Sequence, residues 1–235
     1  MHVMRGPRLR SAVIAIALIV CGCTPNTGGP RAGDAVLRAG LSFDYHGLAS
    51  AGFIDQAVTI RNTGLVAVVP TLAFVAVDAS GQPLEGVSVS TAYGSDRGLV
   101  VVPPGGAIDV LAFHGTTAAR VANVTVRIVG VASVDFPAVE SLVQVQAFDT
   151  DGRPVTSYDR FASVTDPNPV RVTVRVVALT YDRPPAGVAQ QVTSVLDVAG
   201  PVAVPASGSA KVTLPAAIAA KTGGAGSIKA YFTPA

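Results

Sequence analysis

The stretch 169-PVRVTVRVV-177 sets Val170, Val172, Val174 and Val176 on one parity and Arg171, Thr173 and Arg175 on the other. Successive side chains of an extended strand point to opposite faces, so the valines share one face and the arginines the other. β-Branched residues lose χ1 freedom in a helix and suit a pleated surface. One-sided alternation of this kind predicts an antiparallel sheet with one wet face.

The same period runs outward in both directions. In 121-VANVTVRIV-129, Val124, Val126 and Ile128 alternate with Asn123, Thr125 and Arg127, and shorter versions occur in "AVTIRN", "LVQVQAF", "VTSVLDV", "AKVTL" and "SIKAYF". Between them stand "RNTG", "DASGQP", "PPGG", "DTDGRP", "DRPPAG" and "PASGS", whose Gly, Asn, Asp and Pro supply the special φ values of turns. Helical signals reduce to a turn or two in "GTTAARVAN" and "LPAAIAAK". The chain is therefore expected to be all-β.

An internal echo suggests how the strands are grouped. "LVVVPPGGAIDVLAF" at 99–113 and "PVAVPASGSAKVTLP" at 201–215 share a hydrophobic strand, a Pro-small-Gly turn and an alternating strand, each followed by a short Ala-rich stretch and a last strand. Repetition over about 100 residues, with strands of about six residues, predicts two immunoglobulin-like antiparallel β-sandwiches in tandem, 34–138 and 139–235, meeting near "DFPAVE". A single large sandwich or jelly roll is the alternative.

The N-terminus predicts an address. "MHVMRGPRLR" carries Arg5, Arg8 and Arg10 without an acid, and the apolar run behind it stops at Gly-Cys after about a dozen residues, short of the roughly 20 that span a bilayer. "VCGC" at 20–23 resembles the lipobox of bacterial lipoproteins, with Val20, Cys21 and Gly22 ahead of an acylated Cys23. The resemblance implies a signal peptide over 1–22, cleavage before Cys23, attachment to the membrane through an N-terminal lipid, and a polar tether over 23–33. Two or more acyl chains hold a protein stably on a bilayer. Removing 1–22 takes three arginines and no acid from 17 basic and 15 acidic residues, leaving 14 against 15. A mature chain so nearly neutral offers no nucleic-acid surface.

In the first unit, "VTIRNTG", "FVAVDASGQPLEG" and "VVPPGGAIDVLAF" resemble the small Ig-like modules of prokaryotic envelope proteins typified by the FxLYD domain. The resemblance covers roughly residues 55–115. It implies a fold and an extracytoplasmic setting, and no catalytic residues come with it.

Chemistry is scarce in the chain. The histidines beyond the leader are His46, beside Asp44, and His114, before "GTT", and neither sits in a nucleophile elbow. No cofactor and no metal site are expected, because two distant histidines and two leader-proximal cysteines do not assemble zinc or copper ligands. "DTDG" offers Asp149 and Asp151 to calcium, yet Asp-Gly is first of all hairpin chemistry. Contact residues are expected on loops. The candidate interface is Tyr158, Arg160 and Phe161 in "TSYDRFASVTDPNPV", read as one long loop at 156–170. "YDR" recurs at 181–183, and one intervening strand predicts that the two triplets lie at opposite poles. The function expected is that of a lipid-anchored binding or assembly module at the extracytoplasmic face, with an envelope protein as partner. A structural spacer is the competitor, then a solute-binding protein, and an enzyme is least expected.

Overall fold

A computed structural model describes residues 32–47, 56–155, 160–183, 191–222 and 226–234. Cys23 and Tyr158 lie outside the described residues. The elements run α1 (Ala32–Ala39), β1 (Leu41–His46), β2 (Ala57–Asn62), β3 (Val68–Val77), β4 (Ser88–Thr91), β5 (Ala107–His114), β6 (Asn123–Ser133), β7 (Gln144–Phe148), β8 (Pro154–Val155), β9 (Phe161–Thr165), β10 (Val172–Tyr181), β11 (Val192–Val204), β12 (Ser209–Thr213), α2 (Ala216–Thr222) and β13 (Gly226–Phe232), with a 3₁₀ turn at Ala118–Arg120. The protein is all-β, and every strand pairing among the described residues is antiparallel.

Four sheets form. Strands β1-β2-β5-β4 make one, and β3-β6 a two-stranded second; β12-β9-β7-β8 and β11-β10-β13 follow in the C-terminal half. The echo between 99–113 and 201–215 thus falls on equivalent elements. In each half a turn leads into a strand, β5 or β12, which pairs with β2 or β9. A short helical segment then crosses to β6 or β13, which pairs with β3 or β10. Gly106 permits the first of these approaches: at φ 128°, a Cβ there would stand 2.3 Å from the Ile60 carbonyl oxygen. Any side chain would push β5 off β2.

The two halves are not separate beads. Val100 and Val102 belong to the first apolar cluster and Val101 to the second, all within 1% of full burial. Alternation sends successive valines of this extended segment to opposite sides, so a run buried throughout lies between two cores. Its backbone does the same: Val102 exchanges hydrogen bonds with Val68, while Val101 N–H donates to the Phe232 carbonyl at 3.1 Å. β10 repeats the device. Val172, Val174 and Val176 fill the second cluster as their parity predicts, but Val177 and Leu179 enter the first, together with Val192 and Tyr231. The strand read as having one wet face is therefore dry on both sides from Val176 to Leu179, where "VVAL" abandons alternation.

The helices are short, and none among the described residues is long and apolar enough to cross a membrane. α1 starts inside the stretch read as tether, with Asp34 in its first turn and Arg38 in its last, the order that the helix dipole favours. Arg38 reaches past the helix to donate to the carbonyls of Ile128 and Val129 on β6, at 2.6 and 3.0 Å. Those carbonyls sit where β6 bulges, since Thr71 pairs with Gly130 and Leu72 with Ile128. The guanidinium thus satisfies acceptors that the ladder leaves free.

Candidate functional site

A concave feature lies between the halves. Two hollows, of about 360 and 330 Å³, share Ala107, Ile108, Leu142 and Phe232 and form one trench. β2 and β5 form one wall through Ala57 and Val110, and β13 the other through Lys229–Phe232. Residues 139–143, which join the halves, run along the trench and add Leu142, whose side chain is 48% exposed. Among the described residues, Lys229 is the one Lys, Arg, Asp or Glu on the walls of the larger hollow.

β13 is an edge strand, because β10 pairs it on one side only. The Phe232 carbonyl points away from β10, toward Val101. Backbone groups alternate in direction along a strand, so Ala230 and Ile228 aim theirs the same way. Tyr231 and Lys229, of the other side-chain parity, face the first half. The Tyr231 ring stacks on Tyr93 at 4.8 Å between centroids and 21° between planes. Burial pushes the Tyr231 hydroxyl up to about 12, so it stays a donor at neutral pH.

Tyr93 belongs to the loop 92–99, which a buried carboxylate organises. Asp109, on β5 and fully buried, accepts hydrogen bonds from the backbone N–H groups of Tyr93, Ser95 and Val110 at 2.7, 2.9 and 2.8 Å. Burial raises its carboxyl to about 6 against the opposing pull of these donors. Sequence reasoning passed over Asp109, which shares its parity with Ala107, Leu111 and Phe113 on the face that meets Val58 and Ile60 in the first core.

A second polar knot fastens the linker. Asn168, 2% exposed, accepts the N–H groups of Glu140 and Ser141 on Oδ1 at 2.8 and 3.0 Å. Its Nδ2 donates to the Ser141 carbonyl and to Asp166 Oδ1, at 2.8 and 2.6 Å. The trench floor and its rim are thus held by hydrogen bonds that the sequence showed only as "TDPNP" and "PAVES".

The loop candidates are arranged differently from the expectation. Of the stretch read as one loop, 161–165 is β9, with Ala162 and Val164 fully buried, because "FASVT" alternates and pairs with both β7 and β12. Arg160 is exposed at its start, and its carbonyl accepts Leu214 N–H. Phe161 is half-buried, stacked on Phe148 at 5.1 Å and 13°, with Lys211 Nζ 3.8 Å from its ring centre. Two strands, not one, separate the "YDR" triplets. β9 leaves a pole at Phe161 and β10 returns to it at Tyr181, with α2 bridging from Thr213, paired to Phe161, to Gly226, paired to Thr180. Arg160 and Tyr181 therefore share a pole, which corrects the expectation of opposite ones.

The remaining candidates are engaged in strand and turn contacts. His46 Nε2 lies 2.9 Å from Thr59 Oγ1 and His114 Nε2 lies 3.0 Å from Ser90 Oγ, both between neighbouring strands. Ser90 and His114 line a shallow hollow, but among the described residues no carboxylate bonds to His114 to orient its ring as a general base requires. Asp149 Oδ1 accepts Asp151 and Arg153 N–H within the β7–β8 turn, where Gly152 takes φ 77°. No group of three or more potential metal ligands occurs among the described residues. No family model matches the chain, and no curated protein or solved structure matches it either.

Proposed function

We propose that the chain is a lipid-anchored, extracytoplasmic binding or assembly module of the bacterial cell envelope. It comprises two immunoglobulin-like sandwiches, 34–138 and 139–235, behind a signal peptide and an acylated Cys23. Support for the fold assignment comes from strand order. β1-β2-β5-β4 over β3-β6 follows the A-B-E-D and C-F pairing of constant-type immunoglobulin domains, and β12-β9-β7 with β10-β13 repeats E-B-A and C-F. The turn signatures shared with the FxLYD-type domain point the same way, as do the basic leader and the lipobox-like "VCGC" for the address.

The observation that carries the function is the trench beside the free edge of β13. An extended partner segment adds its backbone to Ile228 and Ala230 and sets alternate apolar side chains into the trench, with Lys229 as counter-ion for an acidic group. A spacer needs no such feature.

The test places a photo-crosslinking residue at Leu142 and irradiates cells that carry the anchored protein. The expected result is a defined adduct with an envelope protein, lost in Ala230→Pro. Proline on the solvent side of an edge strand leaves the β10 ladder intact and blocks an added strand. An adduct indifferent to Ala230→Pro, or no adduct above that of a probe at exposed Val75, overturns the reading.

A further inference from the structure

We infer that the pole of the first half built by α1 and the turn 63–66 rests on the lipid surface itself, with Leu65 and Val36 inserted among the lipids. The inference depends on the anchor at Cys23 proposed above. Leu65 is 95% exposed, Val36 73% and Val66 47%, and the first two are the largest such values among the large hydrophobics of the described residues. They gather around a single hollow of about 350 Å³ in which Leu37 and Val68 complete the apolar lining and no charged side chain takes part. Arg38, the nearest cation on the helix, is turned away and occupied by the Ile128 and Val129 carbonyls.

Covalent geometry says what meets this pole. Ala32 starts α1 nine residues after Cys23, and an extended chain spans at most about 3.3–3.6 Å per residue, so the helix begins within roughly 30 Å of the acylated sulfur. α1 itself is only about 12 Å long. The apolar pole is thus held beside the bilayer at high local concentration. The exposed groups around the hollow are aliphatic, and binding of such a surface to a bilayer scales with the apolar area it buries.

The test uses the full lipidated protein with Leu65→Cys. Cys21 leaves with the leader and the Cys23 sulfur is acylated, so a polarity-sensitive fluorophore attaches at position 65 alone. A second protein carries the fluorophore at Val195→Cys on β11, beside His114 at the far end of β5. Both are reconstituted into phosphatidylcholine vesicles that bear a quencher on the acyl chain. The expected outcome is several-fold quenching and a blue shift at position 65, with position 195 unchanged. Equal emission at the two positions, with intact mass showing diacylglyceryl on Cys23, overturns the lipid footing and leaves the anchor standing. An unacylated N-terminus overturns the anchor and the footing together. Quenching replaced by disulfide-linked or excimer-forming pairs through position 65 overturns the footing in favour of self-association.

Discussion

Each half of the molecule turns its second core strand around a buried asparagine, and the two asparagines are put to different use. Asn62, 4% exposed at the end of β2, closes its own corner: Oδ1 accepts Gly64 N–H, and Nδ2 donates to the carbonyls of Val66 and Val102. Asn168, just past β9, spends its side chain on residues 140 and 141, the linker from the other half. Their backbone carbonyls serve alike, accepting N–H from Gly105 and Ser207 in the turns before β5 and β12. Both of those residues hold positive φ, 97° and 46°. The shared part of the corner is what the fold needs, and the divergent part is what assembles the halves.

The same contrast recurs two strands on. In the register of the echo, Asp109 of β5 corresponds to Lys211 of β12. Asp109 is fully buried under the loop 92–99, whereas Lys211 lies exposed over the Phe161 ring. Register explains the difference: Asp109 pairs with core residue Val58 and faces inward under the loop 92–99, whereas Lys211 pairs with Ser163 on the outward face.

The largest break in this comparison is expected at the corners. Asn168→Ala strips Asp166, itself fully buried, of one of its two donors and frees the linker, at a cost of about 3 kcal/mol. Asn62→Ala frees the Gly64 N–H and the Val66 carbonyl and leaves the buried Val102 carbonyl its bond from Val68, at a cost of about 2 kcal/mol. Urea midpoints measure both. Hydrogen exchange of the Glu140 and Ser141 amides should quicken in the first variant only, and equal acceleration in both erases the distinction.

Asp109→Asn tests the buried position through pH. Burial pushes the folded carboxyl up to about 6 from an ordinary 3.8, so the folded state binds the proton more tightly than the unfolded chain does. This group's contribution to stability is therefore greatest below pH 4 and declines as pH rises to 6, by on the order of 2–3 kcal/mol. The asparagine variant should lose that portion of the slope in stability between pH 4 and 7. A slope identical to that of the parent sinks the assignment to Asp109.

The smallest effect belongs to the wet face. Lys211→Ala removes an exposed cation from Phe161 and should cost no more than about 0.5–1 kcal/mol, with little dependence on pH between 4 and 7. A thermal melt that shifts as far as that of Asn168→Ala would mean that β12 is covered after all.

Much of the fold was legible in the chain. Period-two valines announced β6 and β10, Pro-Gly-type turns announced the entries to β5 and β12, and the echo placed equivalent strands in equivalent pairings. β9 was missed inside a supposed loop because "FASVT" is short and only weakly apolar. α1 was missed because its eight residues follow Gly and Pro without a break in composition. Of the candidate site, the residues offered from loops proved to be a strand-entry arginine and a ring packed on a neighbouring strand. The trench, its Lys229 and the Asp109 latch had no sequence signal of their own.

The sequence by itself determined the strands, their inward faces and the turns between them, since these depend on local backbone preference and on a period of two. Tertiary structure alone decided which outward faces stay wet. Whether Ala57 and Val110 meet water or the opposite half, and whether Val177 faces solvent or a second core, depends on how one half docks against the other. Residues more than 100 positions apart meet there, and no local periodicity encodes their distance.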